Sequence, residues 1–206
     1  LNGGGDVIDP MERSPWIEAV ASRGGVKGMD KFGDGTVNGF TDRRVIKTHA
    51  PRGLAPWLEP LTPGAKIIVV SRNPCDAVVS MYHHARDIPS FMYSGTREHF
   101  VRELWMKGKV EHGCFWEWHR GWRKHWESNK DSVLWVTFER FKEDPKQVVT
   151  DVAKFIGLDV TDDVIRRTVE GCSFRKMKSN ASVVDSSKSR KGMIVKKNHI
   201  REGRKG

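Results

Sequence analysis

Nowhere in this chain do apolar residues run on for the ~20 positions that a helix needs to cross a bilayer, so no membrane span is expected. Cysteine is scarce, with three in 206 residues: Cys75, Cys114 and Cys172. None belongs to a CxxC pair, so a zinc-type thiolate site is not indicated. Three widely spaced cysteines in a chain this size fit a reducing compartment, most simply the cytoplasm. The first residues, LNGGGDVIDP, lack an initiating Met and the basic region of a signal peptide. The chain therefore reads as a stretch of something longer. No internal repeat is present. His112, His119 and His125 are not spaced as metal ligands, and no metal is assigned.

What is present is ordinary globular material, 37% apolar and 30% charged, enough for one domain with a sizeable core. The net charge of +10 is uneven. From Ser173 to Gly206 there are eleven Lys and Arg against two acidic residues, which is +9 of the total. An anionic partner is to be sought there, although composition alone favours a solvated loop.

Two runs read as strands. KIIVVS, Lys66 to Ser71, is apolar throughout its middle, which predicts burial on both faces as in a parallel sheet. VLWVTFE, Val133 to Glu139, is the second. RRVIKTH, Arg43 to His49, reads as a shorter one. A short helix is expected near Pro15 to Ser22, and APRGLAPWLEPLTPGA reads as a loop with at most one helical turn. Asn73 reads as an N-cap with Pro74 at the first helical position. Further helices are expected from Thr96 to Met106, from Cys114 to Ser128, from Asp144-Pro145 to Gly157, and from a Thr161 cap to Gly171. Alternating strands and helices make the class α/β with a parallel sheet.

Three groups of residues bear on chemistry. Arg72 stands where the KIIVVS strand gives way to a helix. Ligands of open parallel sheets bind at the carboxyl ends of strands, and a guanidinium beside a helix N-terminus suits phosphate or sulfate. Ser80, two turns along, adds a hydroxyl. The competing reading is an arginine in a surface ion pair. Lys47 and His49 are two apart on an extended segment, so both side chains face the same way. A cation beside a histidine keeps it neutral, as a general base requires; the plain alternative is a surface lysine and a loop histidine. In CFWEWHRGWRKHWE, the residues Phe115, Trp118, Trp122 and Trp126 recur at helical spacing. They fit a buried aromatic stripe better than a stacking surface for nucleic acid.

Together these pieces resemble the cytosolic sulfotransferase family, whose members move a sulfuryl group from 3'-phosphoadenosine 5'-phosphosulfate (PAPS) to an acceptor hydroxyl or amine. RVIKTHAP is similar to the family's segment with the catalytic histidine, and VVSRNPCDAVVSMYHH to its 3'-phosphate segment. VTFERFKEDP resembles its strand-and-turn, CSFRKMKSN the segment along the adenosine, and HIREGRKG its RKGxxGxW loop. The resemblance implies a P-loop-NTPase-like central parallel sheet flanked by helices, incomplete at both ends. Residues 1–206 would be a single partial domain, with 179–206 a basic loop closing over the nucleotide. Arg72, Ser80 and Arg201 would hold the 3'-phosphate, with Glu202 and Gly203 in the same loop. Cys172, Ser173, Phe174 and Met177 would line the nucleotide. His49 would take the acceptor's proton, and Lys47 would face negative charge on the transferring group. The partners implied are a small-molecule acceptor and PAPS, leaving 3'-phosphoadenosine 5'-phosphate (PAP) as product, with no metal, no membrane and no specific nucleic acid. A homodimer would form through segments outside this chain.

Several positions depart from the family. Glu202 replaces a lysine, Phe138 a tyrosine and Cys172 a threonine. The family's first strand and its Gly-containing phosphosulfate loop do not precede LNGGGDV, and the chain stops at Gly206. The 206 residues alone are therefore expected to bind PAPS poorly and turn over slowly. Three alternatives are a sulfotransferase-like protein that binds nucleotide without catalysis, a basic nucleic-acid-binding module, and a membrane-anchored carbohydrate sulfotransferase of the secretory pathway, to which the motif spacings and cysteine usage are less similar. The acceptor pocket would draw on residues near Trp16, Ile88 to Tyr93 and Trp105.

Overall fold

The structure, a computed structural model, describes residues 14, 16–18, 45–54, 64–88, 91–176 and 178–179. They fall in two compact units, residues 1–50 and 51–206.

In the second unit, branched residues that favour the extended backbone form β1, Ile67–Ser71, and β2, Val133–Thr137. The two are parallel and in register, from Ile67 opposite Val133 to Ser71 opposite Thr137. A parallel pair needs a long crossover, and three helical segments supply it. Helix α1 is Pro74–Asp87. Helix α2 is Arg97–His99, capped by the Thr96 hydroxyl, which accepts from the His99 N–H at 3.2 Å. It continues as a π-helix over Phe100–Trp105. Helix α3 is Phe115–Ser128. After β2 come α4 (Phe138–Glu143), α5 (Pro145–Phe155) and α6 (Asp162–Gly171). The Asp144 carboxylate accepts from the Gln147 N–H to start α5, and Gly157, at φ 70°, follows its end in the left-handed conformation that glycine tolerates best.

The core lies in two clusters. Val69, Val133 and Trp122 are buried together, with Trp118, Trp126 and Trp135 packed around them. Trp118, Trp122 and Trp126 of α3 therefore face the core, as their spacing predicts, while Trp116, off that stripe, is exposed. Burying Val133, 1% exposed, contributes roughly 1.5–3 kcal/mol. Gly121 sits where α3 passes close to Arg52. A Cβ there would lie 3.3 Å from the Arg52 Cβ, and the Arg52 guanidinium lies 6.0 Å from the centre of the Trp122 ring. The second cluster joins Tyr82 and Ala85 of α1 to Phe100 and Trp105.

Three expectations change. β1 is covered on one face, by α3, while Ile68 and Val70 on the other are 39% and 63% exposed. β2 stops at Thr137, because the Thr137 hydroxyl accepts from the Arg140 N–H at 3.2 Å and starts α4. Phe138 and Glu139 are therefore helical. The segment near Thr96 to Met106 is mostly π-helix, with the Met106 N–H donating to the Val101 carbonyl. Phe100 and Trp105 are five apart, which an α-helix would splay by about 140°. The wider π-turn lets both enter one core, 2% and 6% exposed.

In the first unit, Trp16 and Lys47 form a parallel bridge, and the Ile17 N–H donates to the Lys47 carbonyl at 2.9 Å. A strand was expected over Arg43 to His49. In the described part, from Val45, pairing is this single bridge, because the chain turns helical at Ile17 and leaves no partner strand. Ile17 and Glu18 are the described portion of the helix expected near Pro15 to Ser22.

Candidate functional site

The first group is built on the KTH segment. Alternation predicts that Lys47 and His49 share a side, and both meet Trp16. The Lys47 ammonium lies 5.4 Å from the ring centre, and the His49 ring packs edge-on against it at 5.0 Å. A cation held over an indole face is attracted by its quadrupole. Thr48, between them, is bound to Glu18. Its hydroxyl donates to Glu18 Oε1 at 2.8 Å, and the His49 N–H donates to the same oxygen at 2.6 Å. The Thr48 hydroxyl in turn accepts from the Ala50 N–H at 3.0 Å. Burial opposes ionisation of Glu18, but the Thr48 hydroxyl, the backbone N–H groups of His49 and Glu18, and the nearby His49 outweigh it. The carboxyl is held below its ordinary value.

The second group stands at the carboxyl end of β1. Asn73 caps α1, its side-chain oxygen accepting from the Cys75 N–H at 2.9 Å. Arg72, just before it, lies with its guanidinium 4.4 Å from the centre of the Phe138 ring, the first residue of α4. One guanidinium nitrogen is 3.7 Å from Asp76. Arg72 Nε is buried without a hydrogen-bond partner among the described residues. The plane of the guanidinium is thus set by an aromatic ring and a distant carboxylate, and a donor is left over. Glu139 accepts from the Asn73 N–H at 2.9 Å, tying α4 to the start of α1. Ser80 is exposed on α1, one turn beyond Asp76 on the same face.

The third group follows α6. Cys172 is exposed, and Ser173 accepts from the Lys176 N–H at 3.3 Å, capping the next helical turn. Phe174 has the Lys178 ammonium 6.0 Å from its ring centre. Met177, Arg201, Glu202 and Gly203 lie outside the described residues, as does the tail from residue 180.

The structure thus brings Lys47 and His49 together on Trp16, and Arg72 together with the α1 face that carries Ser80. Ile88 and Trp105, expected near an acceptor, are buried at 1% and 6% exposure. Sequence reasoning missed Glu18 and Glu139, whose partners are 31 and 66 positions away and which no local spacing announces. Asp76 was missed as well, although its place four residues after Arg72 is a local signal for such a pair.

The family model described as Sulfotransferase domain matches residues 5–206. Sulfotransferase 1C2 of Rattus norvegicus is 33% identical over 207 residues, covering 92% of this chain and 65% of its own length. Sulfotransferase 1A1 of Bos taurus is 34% identical over 138 residues, 66% of this chain and 45% of its own. The chain spans about half the length of the curated relatives it matches. Among solved structures, mouse sulfotransferase SULT7A1 complexed with PAP superposes with a TM-score of 0.73 at 26% identity, covering 96% of this chain and 73% of that one. Retinol dehydratase complexed with retinol and PAP superposes at 0.69 and 22% identity, a likeness of fold, covering 98% and 57%. The P-loop-NTPase-like α/β class is shared with these structures.

Proposed function

Because this chain belongs to the sulfotransferase family, we propose that it serves a PAPS-dependent transfer of a sulfuryl group to the hydroxyl or amine of a small-molecule acceptor in the cytoplasm. PAPS supplies the sulfuryl group. The acceptor oxygen or nitrogen bonds to sulfur as the bond from sulfur to the phosphate oxygen of PAP breaks. His49 takes the acceptor's proton, and Lys47 faces the negative charge that builds on the transferring group. Arg72 and Ser80 hold the 3'-phosphate with Arg201, while Cys172, Ser173, Phe174 and Met177 line the nucleotide beside Glu202 and Gly203. Such a reaction needs positioning and neutralisation more than covalent help.

The observation that carries this reading is Arg72. Its guanidinium is oriented by Phe138 at a strand's carboxyl end, and its buried Nε has no partner among the described residues. An unmet buried donor on a cation is costly, and a bound phosphate oxygen satisfies it. The test is His49→Ala in the full-length protein. Transfer should fall about 10²–10⁴-fold while PAP affinity stays unchanged; a variant that keeps its turnover would remove His49 from this role. Phe138 supports one alternative. A ring without a hydroxyl stands over Arg72, which suits a protein that binds the nucleotide without turning it over. In that case PAP binds and no acceptor is sulfated by either form.

A further inference from the structure

Thr48 and His49 both donate to one oxygen of a carboxylate that comes from elsewhere in the sequence. Glu18 Oε1 takes the Thr48 hydroxyl at 2.8 Å and the His49 N–H at 2.6 Å. The other oxygen, Oε2, is buried with no hydrogen-bond partner among the described residues. Trp16, two residues before Glu18, carries the ring against which the His49 imidazole packs edge-on at 5.0 Å. A single short segment therefore fixes His49 twice, through its backbone and through its ring. It also brings a full negative charge to the same place, and that charge is only half satisfied. A buried anionic oxygen without a donor is stabilised by any positive charge that forms beside it.

We infer that Glu18 is a positioning residue for His49: it holds the backbone of the KTH segment through Oε1, and its unmatched Oε2 charge stabilises the imidazolium formed when His49 accepts a proton. The inference rests on the reading of His49 as general base. Glu18 stays ionised throughout. The proton passes from acceptor to imidazole, and the carboxylate supplies the countercharge, as an orienting acid does beside a catalytic histidine. Hydrogen bonding and the neighbouring imidazole already hold Glu18 below its ordinary range, so it is charged at neutral pH. Nearby, the Lys47 ammonium over Trp16 opposes a second positive charge, and the Thr48 hydroxyl adds none. Glu18 is thus a neighbour that favours the protonated form.

The test is the imidazole titration of His49 by NMR in the full-length protein, with the resonance assigned by its absence in His49→Ala. Glu18→Gln keeps an acceptor for Thr48 and the His49 N–H but removes the charge. The His49 midpoint should fall by about one pH unit, and kcat should drop several-fold with KM for PAPS unchanged. Glu18→Ala should lose both effects and lower kcat further. Glu18→Asp, with its shorter reach, should recover the midpoint in part. An unmoved midpoint in a folded Glu18→Gln protein overturns the inference. Failure of the general-base reading looks different: His49→Ala would keep its turnover while the midpoint still responded to Glu18.

Discussion

β1 and β2 end side by side, Ser71 opposite Thr137, yet they hand over to their helices in different ways. At β2 the last strand residue is also the cap, and α4 starts at once with Phe138. At β1 two residues intervene, Arg72 and Asn73, before α1 begins at Pro74. The direct ending leaves an aromatic ring at the sheet's edge, and the longer one reaches an arginine over that ring. Glu139 then closes the pair by accepting from the Asn73 N–H. One strand end supplies the charge and the other supplies its platform. Neither alone would orient the guanidinium.

The largest effect should come from removing what supports both ends. Trp122 is 3% exposed and packs on Val69 and Val133, one residue from each strand. Trp122→Ala should cost about 3–5 kcal/mol in denaturant unfolding, and a loss under 1 kcal/mol would mean the strands do not depend on α3. The caps should separate the two ends. Asn73→Ala and Thr137→Ala should each cost about 1 kcal/mol, but Asn73→Ala should weaken PAP binding more, because it loosens the backbone of Arg72 itself, whereas Thr137→Ala loosens only the ring beneath it. Equal losses of affinity would erase the distinction.

The smallest effect is a pH dependence that belongs to the β2 side. His119 of α3 packs edge-on against Trp135 of β2 at 4.9 Å. Burial, then Arg123, holds its imidazole below the ordinary histidine value; burial, then Arg52, does the same for His125. Both histidines therefore bind protons more readily in the unfolded chain. Their contribution is present above the unfolded value and is lost as pH falls below about 6.5. The unfolding midpoint should drop on acidification through that range, and His119→Gln should flatten the slope. A midpoint that rose on acidification would reverse the assignment.

The β1 ending was legible because Asn-Pro is a local signal: a side chain that caps and a ring that pre-sets the first helical residue. The β2 ending was hidden because Val-Thr-Phe-Glu reads as strand throughout. Threonine serves equally in a strand and at a cap, and only the Arg140 N–H on its hydroxyl decides. Three helix starts, at Pro74, Pro145 and Asp162, lie where the caps Asn73, Asp144 and Thr161 put them, and those at Arg97 and Phe115 lie within a residue of the expected starts. The π-turn in α2 was illegible because it answers to Tyr82, which enters the same core from another helix. In the candidate site, Lys47, His49 and Arg72 follow from spacing along the chain. Glu18 and Glu139 come from tertiary structure alone. In the KTH segment the alternation is real, but among the described residues its pairing is one bridge, because the chain turns helical at Ile17.

The most direct measurement is calorimetric binding of PAP and of AMP, which lacks the 3'-phosphate, to the full-length protein and to Arg72→Ala. If Arg72 reads the 3'-phosphate from the end of β1, the intact protein prefers PAP and the variant loses roughly 10–150-fold in PAP affinity with AMP binding unchanged. If the variant weakens both nucleotides equally, or neither, the guanidinium over Phe138 is a structural pair and the account of the strand end is wrong.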